Sequence, residues 1–374
     1  MVKIIKFRLF PTKGQRSLLR FTLEECRWLY NQILETRRDA YANDGVSLNL
    51  YDINPMIPGW KEERPSLRSV HSQALQNVSE RIQLAFQAFF RRCQNGENPG
   101  YPRFRSEERY RSISFPQPGK GFRLVDDNGL RLYGIGTIRI KRHRPIPGTI
   151  KRLTVKREET GHWFACFHVE IEDQMSVVAH NIDAIGIDVG LENFATLSNG
   201  EVIENPRFLK RDRKRLRKLD KQFFQSPEGS ERRNKKAKAK IKVWNRITNR
   251  RTNFAHQTSR RLVDRFGIIC VEDLDIRNMV SDGINDFLNE GTHDAAWGRF
   301  IAMISYKAEE AGRVLVRVEP RGTSQDCSRC GERVPKELGV RIHDCPHCGL
   351  KIHRDLNASL NILRRGLTSL ARAA

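Results

Sequence analysis

The sequence predicts an α+β chain of several domains: a small β-barrel with a helical lobe inserted into it, then an α/β domain that carries a cysteine-bound insert. Three observations lead there. Apolar residues recur with a period near 3.6 through the block 11–110 and with a period of 2 on either side of it. From Ala184 onward three short strands precede a long helical segment, a buried strand, a helix and a further strand. Two Cys-x2-Cys pairs then precede a final apolar helix.

Residues 2–10 alternate as a strand, with Val2 and Ile4 on one face, and Thr12 is placed to cap a helix. Leu19, Leu23, Cys26, Tyr30 and Ile33 make that helical stripe to about residue 44. An Asn-, Pro- and Gly-rich stretch to residue 64 reads as a loop. Pro65 opens a second helix with Leu75, Val78, Ile82 and Phe86 on one side. Beyond the basic loop Gly100-Tyr-Pro-Arg-Phe-Arg105, strands are expected at 112–116, 121–125, 130–133, 137–140, 150–156 and 162–171. Glu159-Thr-Gly161 turns between the last two. The barrel is therefore residues 1–10 plus 111–180. A third region, 181–374, begins with the strands 184–189, 194–197 and 201–203, joined by the hairpin signal Asn199-Gly200. The run 267–271 reads as a strand buried on both faces. A helix over 293–312 and a strand over 314–318 complete an order that matches a ribonuclease-H-like domain. That match concerns fold, not function.

Charge points to the partner. The chain of 374 residues carries a formal +23 and is 39% hydrophobic. Such an excess favours a polyanion, because neutralising phosphates releases counterions. No run approaches the ~20 apolar residues of a membrane span, and the N-terminus lacks a signal-peptide core. The expectation is a cytoplasmic, intracellular protein with no membrane partner. Residues 207–265 hold 22 Lys and Arg against 5 Asp and Glu, a net +17. A solvated surface usually mixes signs. The single sign here, with Leu209, Leu216, Leu219 and Phe223 as an apolar stripe, predicts a basic helical hairpin (206–265) turning at 226–230. Arg211, Lys214, Arg215 and Lys218 are its candidate phosphate contacts. Lys235–Lys240 reads as a segment that orders on binding.

Four of the eight cysteines form Cys327-Ser-Arg-Cys330 and Cys345-Pro-His-Cys348. Four thiolates at this spacing predict a closed structural Zn2+ site in an insert spanning 321–352. His343, His347 and His353 are expected to be exposed polar neighbours. Cys26, Cys93, Cys166 and Cys270 read as buried free thiols.

Three acids stand in apolar surroundings: Asp188 in Ile185-Gly-Ile-Asp-Val-Gly190, Glu272 after Ile268–Val271, and Asp355 in His353-Arg-Asp-Leu-Asn-Ala358. A buried carboxylate costs several kcal/mol unless it is paired or binds a metal. Gly186 and Gly190 leave room for close backbone approach beside Asp188. Asp273 must face away from Glu272, because strand side chains alternate. Asp355 alone reads equally as a helix N-cap. As a set, spaced 84 and 83 residues apart, the acids suit a site for hard cations, and two Mg2+ ions about 4 Å apart, or Mn2+, are expected.

At these residues the chain resembles the TnpB family, the OrfB-type proteins of bacterial transposons related to type V CRISPR effectors. Gly186-Ile-Asp-Val-Gly-Leu-Glu-Asn-Phe-Ala195, Val271-Glu-Asp-Leu274, Thr323-Ser-Gln-Asp-Cys-Ser-Arg-Cys-Gly331 and Asp355-Leu-Asn-Ala-Ser-Leu-Asn-Ile362 carry the resemblance. It implies a wedge-like β-barrel, a helical recognition lobe at 11–110 and a RuvC-like nuclease domain with a zinc-ribbon insert. It implies Asp188, Glu272 and Asp355 as catalytic acids. The partners it implies are a guide RNA from the transposon end and double-stranded target DNA beside a short motif read by the protein, for which Gln73 and Gln76 are candidates. A monomer on the RNA is expected. The alternatives are RNA-guided binding without cleavage and an unguided transposase-type nuclease.

Overall fold

The computed structural model describes residues 2–171, 183–274, 296–337 and 339–373. Residues 172–182, where the boundary at 180–181 falls, and the start of the helix expected from residue 293 lie outside them. The chain divides into two compact units, Met1–Asp173 and Gln174–Ala374.

In the first unit, β1 (Val2–Phe10) is joined by β2 (Ser112–Phe115), β3 (Phe122–Val125), β4 (Gly129–Leu132), β5 (Gly136–Lys141), β6 (Thr149–Arg157) and β7 (Trp163–Glu170). They form one antiparallel, barrel-like sheet in the order β2-β6-β7-β1-β5-β4-β3. Alternation decides which residues are inside: Ile5, Phe7 and Leu9 of β1 are buried with Phe115, Ile138, Leu153 and Phe167, while Val2 and Ile4 are exposed.

Between β1 and β2 run α1 (Lys13–Asp44), α2 (Leu50–Ile53), α3 (Ile57–Glu63) and α4 (Ser72–Gln94). Thr12 and Gln15 close a capping box on α1, and Gly45 ends it at φ 67°. The stretch read as a loop contains α2 and α3. Asn49 and Asp52 make a second capping box, and burial of Ile53, Ile57 and Trp60 holds these short helices down. Their stability is tertiary, so periodicity alone does not reveal them. Buried Glu25 is satisfied by Arg64 at 2.7 and 2.9 Å and by Ser66 Oγ at 2.8 Å.

In the second unit, β8 (Ala184–Val189), β9 (Asn193–Leu197), β10 (Val202–Glu204), β11 (Ile268–Glu272) and β12 (Val314–Val318) form a sheet in the order β10-β9-β8-β11-β12. The first three are antiparallel, and β8, β11 and β12 are parallel. Asn199 Oδ1 accepts from Glu201 N in the β9–β10 turn. Parallel strands need a crossover, and α6 (Glu231–Arg265) and α7 (Trp297–Glu310) supply them. Leu262, Phe300 and Ile304 pack on one sheet face with Ile269 and Val271. Cys270, Val316 and Val318 face the opposite way, against Ile362 of α8 (Arg354–Ala373).

The basic segment is a helical hairpin of α5 (Phe208–Phe224) and α6, joined through Leu209, Leu216, Val243 and Ile247. Lys235–Lys240 lies within α6 and is helical in the free chain. Ser230 caps it, accepting from Arg233 N. Among the described residues, no helix is long and apolar enough to cross a membrane.

Glycine sets how closely α8 approaches the sheet. A Cβ at Gly186 would collide with Ser359 O and lie 2.7 Å from Leu363 N. One at Gly366 would collide with the side chain of Cys270. Backbone cannot yield as a side-chain tip can, so Gly186→Ala is expected to destabilise the protein by about 3 kcal/mol. Chemical denaturation measures this, and an unchanged midpoint would disprove the close contact.

Candidate active site

Asp188 lies near the C-terminal end of β8, opposite Thr196 of β9. On its other side β11 runs parallel, with Val271 opposite Ile187, so the next residue, Glu272, comes level with Asp188. Because α8 crosses β8 at Gly186 through Ser359 and Leu363, its preceding turn reaches the same end of the strand. Asp355 sits in that turn. Three elements distant in sequence thus deliver one carboxylate each. Asp273 is exposed and pairs with Arg317 at 3.0 Å.

The electrostatics follow from this convergence. Burial raises the Asp188 carboxyl well above the usual Asp range, and the charges of Glu272 and Asp355 raise it further; Arg354 opposes them. Burial also raises Glu272, against a hydrogen bond from Thr323 and the charge of Arg365. Thr323 Oγ1 donates to Glu272 Oε1 at 2.5 Å and is itself buried. Asp355 is not the N-cap residue of α8, because the helix already begins at Arg354; its carboxylate lies 3.8 Å from His353 Nδ1.

This donor set fits a hard divalent cation, since a charge of two plus or more would relieve a repulsion the protein otherwise bears. Among the described residues, only the four cysteines bring three or more metal-type ligand atoms within 4.8 Å of one another. The three carboxylates do not all lie that close to one another.

The cysteine cluster is compact. Cys327 and Cys348 Sγ lie 3.5 Å apart, and Cys330 and Cys345 Sγ 3.6 Å apart. Each pair sits in the same turn: Gly331 N donates to Cys327 O and Gly349 N to Cys345 O, both at 2.9 Å, with φ of 84° and 71° at the glycines. Burial opposes ionisation of Cys327, yet the backbone N–H groups of Cys330 and Arg329, with His343, draw its thiol down to about 5. The strands β13 (Ile342–Asp344) and β14 (Lys351–His353) close the insert.

Three further expectations fail, one beside these cysteines and two at thiols elsewhere. His343 is fully buried, not exposed, and contacts Lys336 through Nδ1. Cys93 is exposed in the last turn of α4, and Cys166 on β7 is only partly buried.

The insert is clamped to α8. Asn357 Nδ2 and Asn361 Nδ2 both donate to Asp326 O at 2.7 Å, Asn361 also donates to Thr323 O at 2.9 Å, and Asn357 Oδ1 accepts from Ser328 N. Arg365 pairs with Asp326 at 2.7 Å. Residue-type reasoning singles out none of these. Their only signal is membership in the motifs 323–331 and 355–362.

The other candidates are dispersed. Arg211, Lys214, Arg215 and Lys218 are all exposed on the side of α5 away from Leu209 and Leu216. Gln73 and Gln76 belong to the first turns of α4; Gln76 is exposed, and Gln73 keeps a buried Oε1 without a hydrogen-bond partner.

Comparison with known proteins accounts for most of the chain. Residues 1–45 match a model described as a helix-turn-helix domain, 166–282 one described as a probable transposase, and 297–362 a Cas12f1-like TNB domain. A putative RNA-guided DNA endonuclease of Streptomyces pristinaespiralis is 32% identical over 99% of this chain and 90% of that protein. TnpB-like protein L770 of Acanthamoeba polyphaga mimivirus is 25% identical over 61% of this chain and 46% of its own. The chain belongs to the TnpB family. Putative RNA-guided DNA endonuclease InsQ of Escherichia coli K12 is 25% identical over 99% of this chain and 94% of that protein. The transposase match of this TnpB-family chain includes Asp188 and Glu272, and the TNB match includes Asp355 and the four cysteines. Where the first match is described as helix-turn-helix, this chain has one strand and one 32-residue helix.

The raised carboxyls set a pH dependence. Without divalent cations, Asp188 and Glu272 contribute full stability below the ordinary carboxylate pKa of about 4, and that contribution is lost as pH rises through their raised folded values. Asp188→Asn is therefore expected to raise the Tm at neutral pH in buffer lacking added Mg2+, by about 2–4 °C per kcal/mol of repulsion removed. A thermal melt that showed a lower Tm would contradict this electrostatic account.

Proposed function

We infer that this chain is an RNA-guided DNA endonuclease: it binds a guide RNA derived from a transposon end and hydrolyses complementary double-stranded DNA beside a short motif. The observation that carries the reading is the meeting of Asp188, Glu272 and Asp355 at one end of β8, in a chain whose relatives carry that activity in their names. In this reading residues 181–374 are a RuvC-like, ribonuclease-H-like nuclease domain, 1–10 with 111–180 a wedge-like barrel, and 11–110 a recognition lobe. The strand order β10-β9-β8-β11-β12 supports the first assignment.

Asp188, Glu272 and Asp355 would hold two divalent cations, Mg2+ or Mn2+, as oxygen donors. When bound, such ions activate a water and neutralise the leaving oxygen of a phosphodiester. The chain's own groups prepare the site. Thr323 fixes the Glu272 carboxylate by its hydroxyl hydrogen bond. Burial and the charges of Glu272 and Asp355 raise the Asp188 carboxyl, a repulsion that bound cations would relieve. The exposed cations of α5 would track phosphates, leaving sequence reading to base pairing. Non-cleaving binding would follow from loss of an acid, and all three acids are present.

The deciding experiment is guide-programmed DNA cleavage by Asp188→Ala, Glu272→Ala and Asp355→Ala variants. Each is expected to lose at least about 10³-fold in rate, several kcal/mol of transition-state stabilisation, with guide-RNA binding retained. Cleavage that survives in any variant with normal RNA binding removes that residue from the site.

The four thiols would bind one structural Zn2+. Since Asn357 and Asn361 tie the segment before Cys327 to the helix bearing Asp355, zinc loss should reach the nuclease site. Cys345→Ser is expected to release zinc, lower the Tm and abolish cleavage, as read by metal analysis and the same assay. Full cleavage by a zinc-free protein would show that the insert and the acids are independent.

A further inference from the structure

The basic loop 100–105 has no part in the carboxylate site or the cysteine insert. It folds against the second half of α4 and leaves a cleft of about 260 Å³ between them. Aromatic rings line that cleft. Tyr101 meets Phe89 and Phe86 edge-on, both with ring centroids 5.5 Å apart, and Phe104 stands nearby under Arg38. Tyr101 and Phe104 are each 45% exposed, so their rings are open to a ligand. The charged side chains of the lining are all arginines: Arg92, Arg103, Arg105 and Arg109. Arg92 pairs with Glu97, while Arg103 and Arg109 have no anionic partner among the described residues.

The loop is also anchored. Asn31 accepts from Arg105 N at 2.8 Å and donates to Arg105 O at 3.1 Å, and Arg27 donates to the same carbonyl at 3.2 Å. These bonds pin the end of the loop to α1.

We propose that this cleft is a stacking subsite for an unpaired nucleotide of the guide RNA, its base against Tyr101 and Phe104 and its phosphates on Arg103 and Arg109. Aromatic faces take a base only when it is out of a helix, and a folded RNA displays such bases in its loops and bulges. A DNA strand becomes unpaired only once the target has been opened, whereas a folded guide RNA offers unpaired bases from the moment it is bound, which favours RNA over DNA as the occupant. The proposal rests on the RNA-guided reading and locates one contact within it.

The test is guide-RNA affinity of the full chain, titrated at several salt concentrations, for wild type and for Tyr101→Ala, Tyr101→Trp, Phe104→Ala and Arg103→Ala. Loss of one stacked base predicts weakening of about 5- to 150-fold for Tyr101→Ala with an unchanged salt slope. Tyr101→Trp should restore binding. Arg103→Ala should lower the salt slope by about 1. Equal affinity of wild type and Tyr101→Ala overturns the subsite alone, whereas a wild-type chain that binds no RNA overturns the functional reading. Intact RNA affinity with impaired target-DNA binding overturns it in favour of a DNA strand, and failure of tryptophan to rescue assigns Tyr101 to packing.

Discussion

Like charges brought together out of water repel, and the second unit is organised around bearing that repulsion. Asp188 has two carboxylates as near neighbours and one opposing guanidinium. Left to itself such a site would spread. It is kept together by backbone: parallel pairing sets Glu272 level with Asp188, and α8 is locked to β8 where Gly186 admits no side chain. The stability spent on holding the acids is what makes them receptive to cations.

The insert with four thiols belongs to the same constraint. Helix α8 must begin at a fixed height above the sheet, and its first turns are tied through Asn357, Asn361 and Arg365 to the segment that leads into Cys327. That segment also supplies Thr323, whose hydroxyl fixes Glu272. One short stretch of chain thereby positions two of the three acids, which gives a small, closed insert a reach beyond its own core.

Much of this is legible in the sequence for identifiable reasons. Strands and long helices follow from apolar period, the thiols from spacing, and Gly186 from the need for close approach beside a carboxylate. Short helices α2 and α3 are not legible, because Pro55 and Pro58 resemble loop residues until Ile57 and Trp60 are seen to be buried. His343 misleads because a histidine between cysteines looks polar, and only the folded insert shows it enclosed. Asn357, Asn361 and Thr323 act through hydrogen bonds to segments 29 to 51 residues away, a relation that no local pattern expresses.

The arrival of Asp355 on α8, 83 residues after Glu272, also has a consequence in time. Chains emerge from the ribosome N-terminal part first, at about 5–20 residues per second, so roughly 4–17 s separate synthesis of the second acid from the third. Throughout that interval the basic hairpin has been synthesised in full, while the carboxylate set is incomplete. A nascent chain therefore carries its most basic segment before its acid cluster is complete.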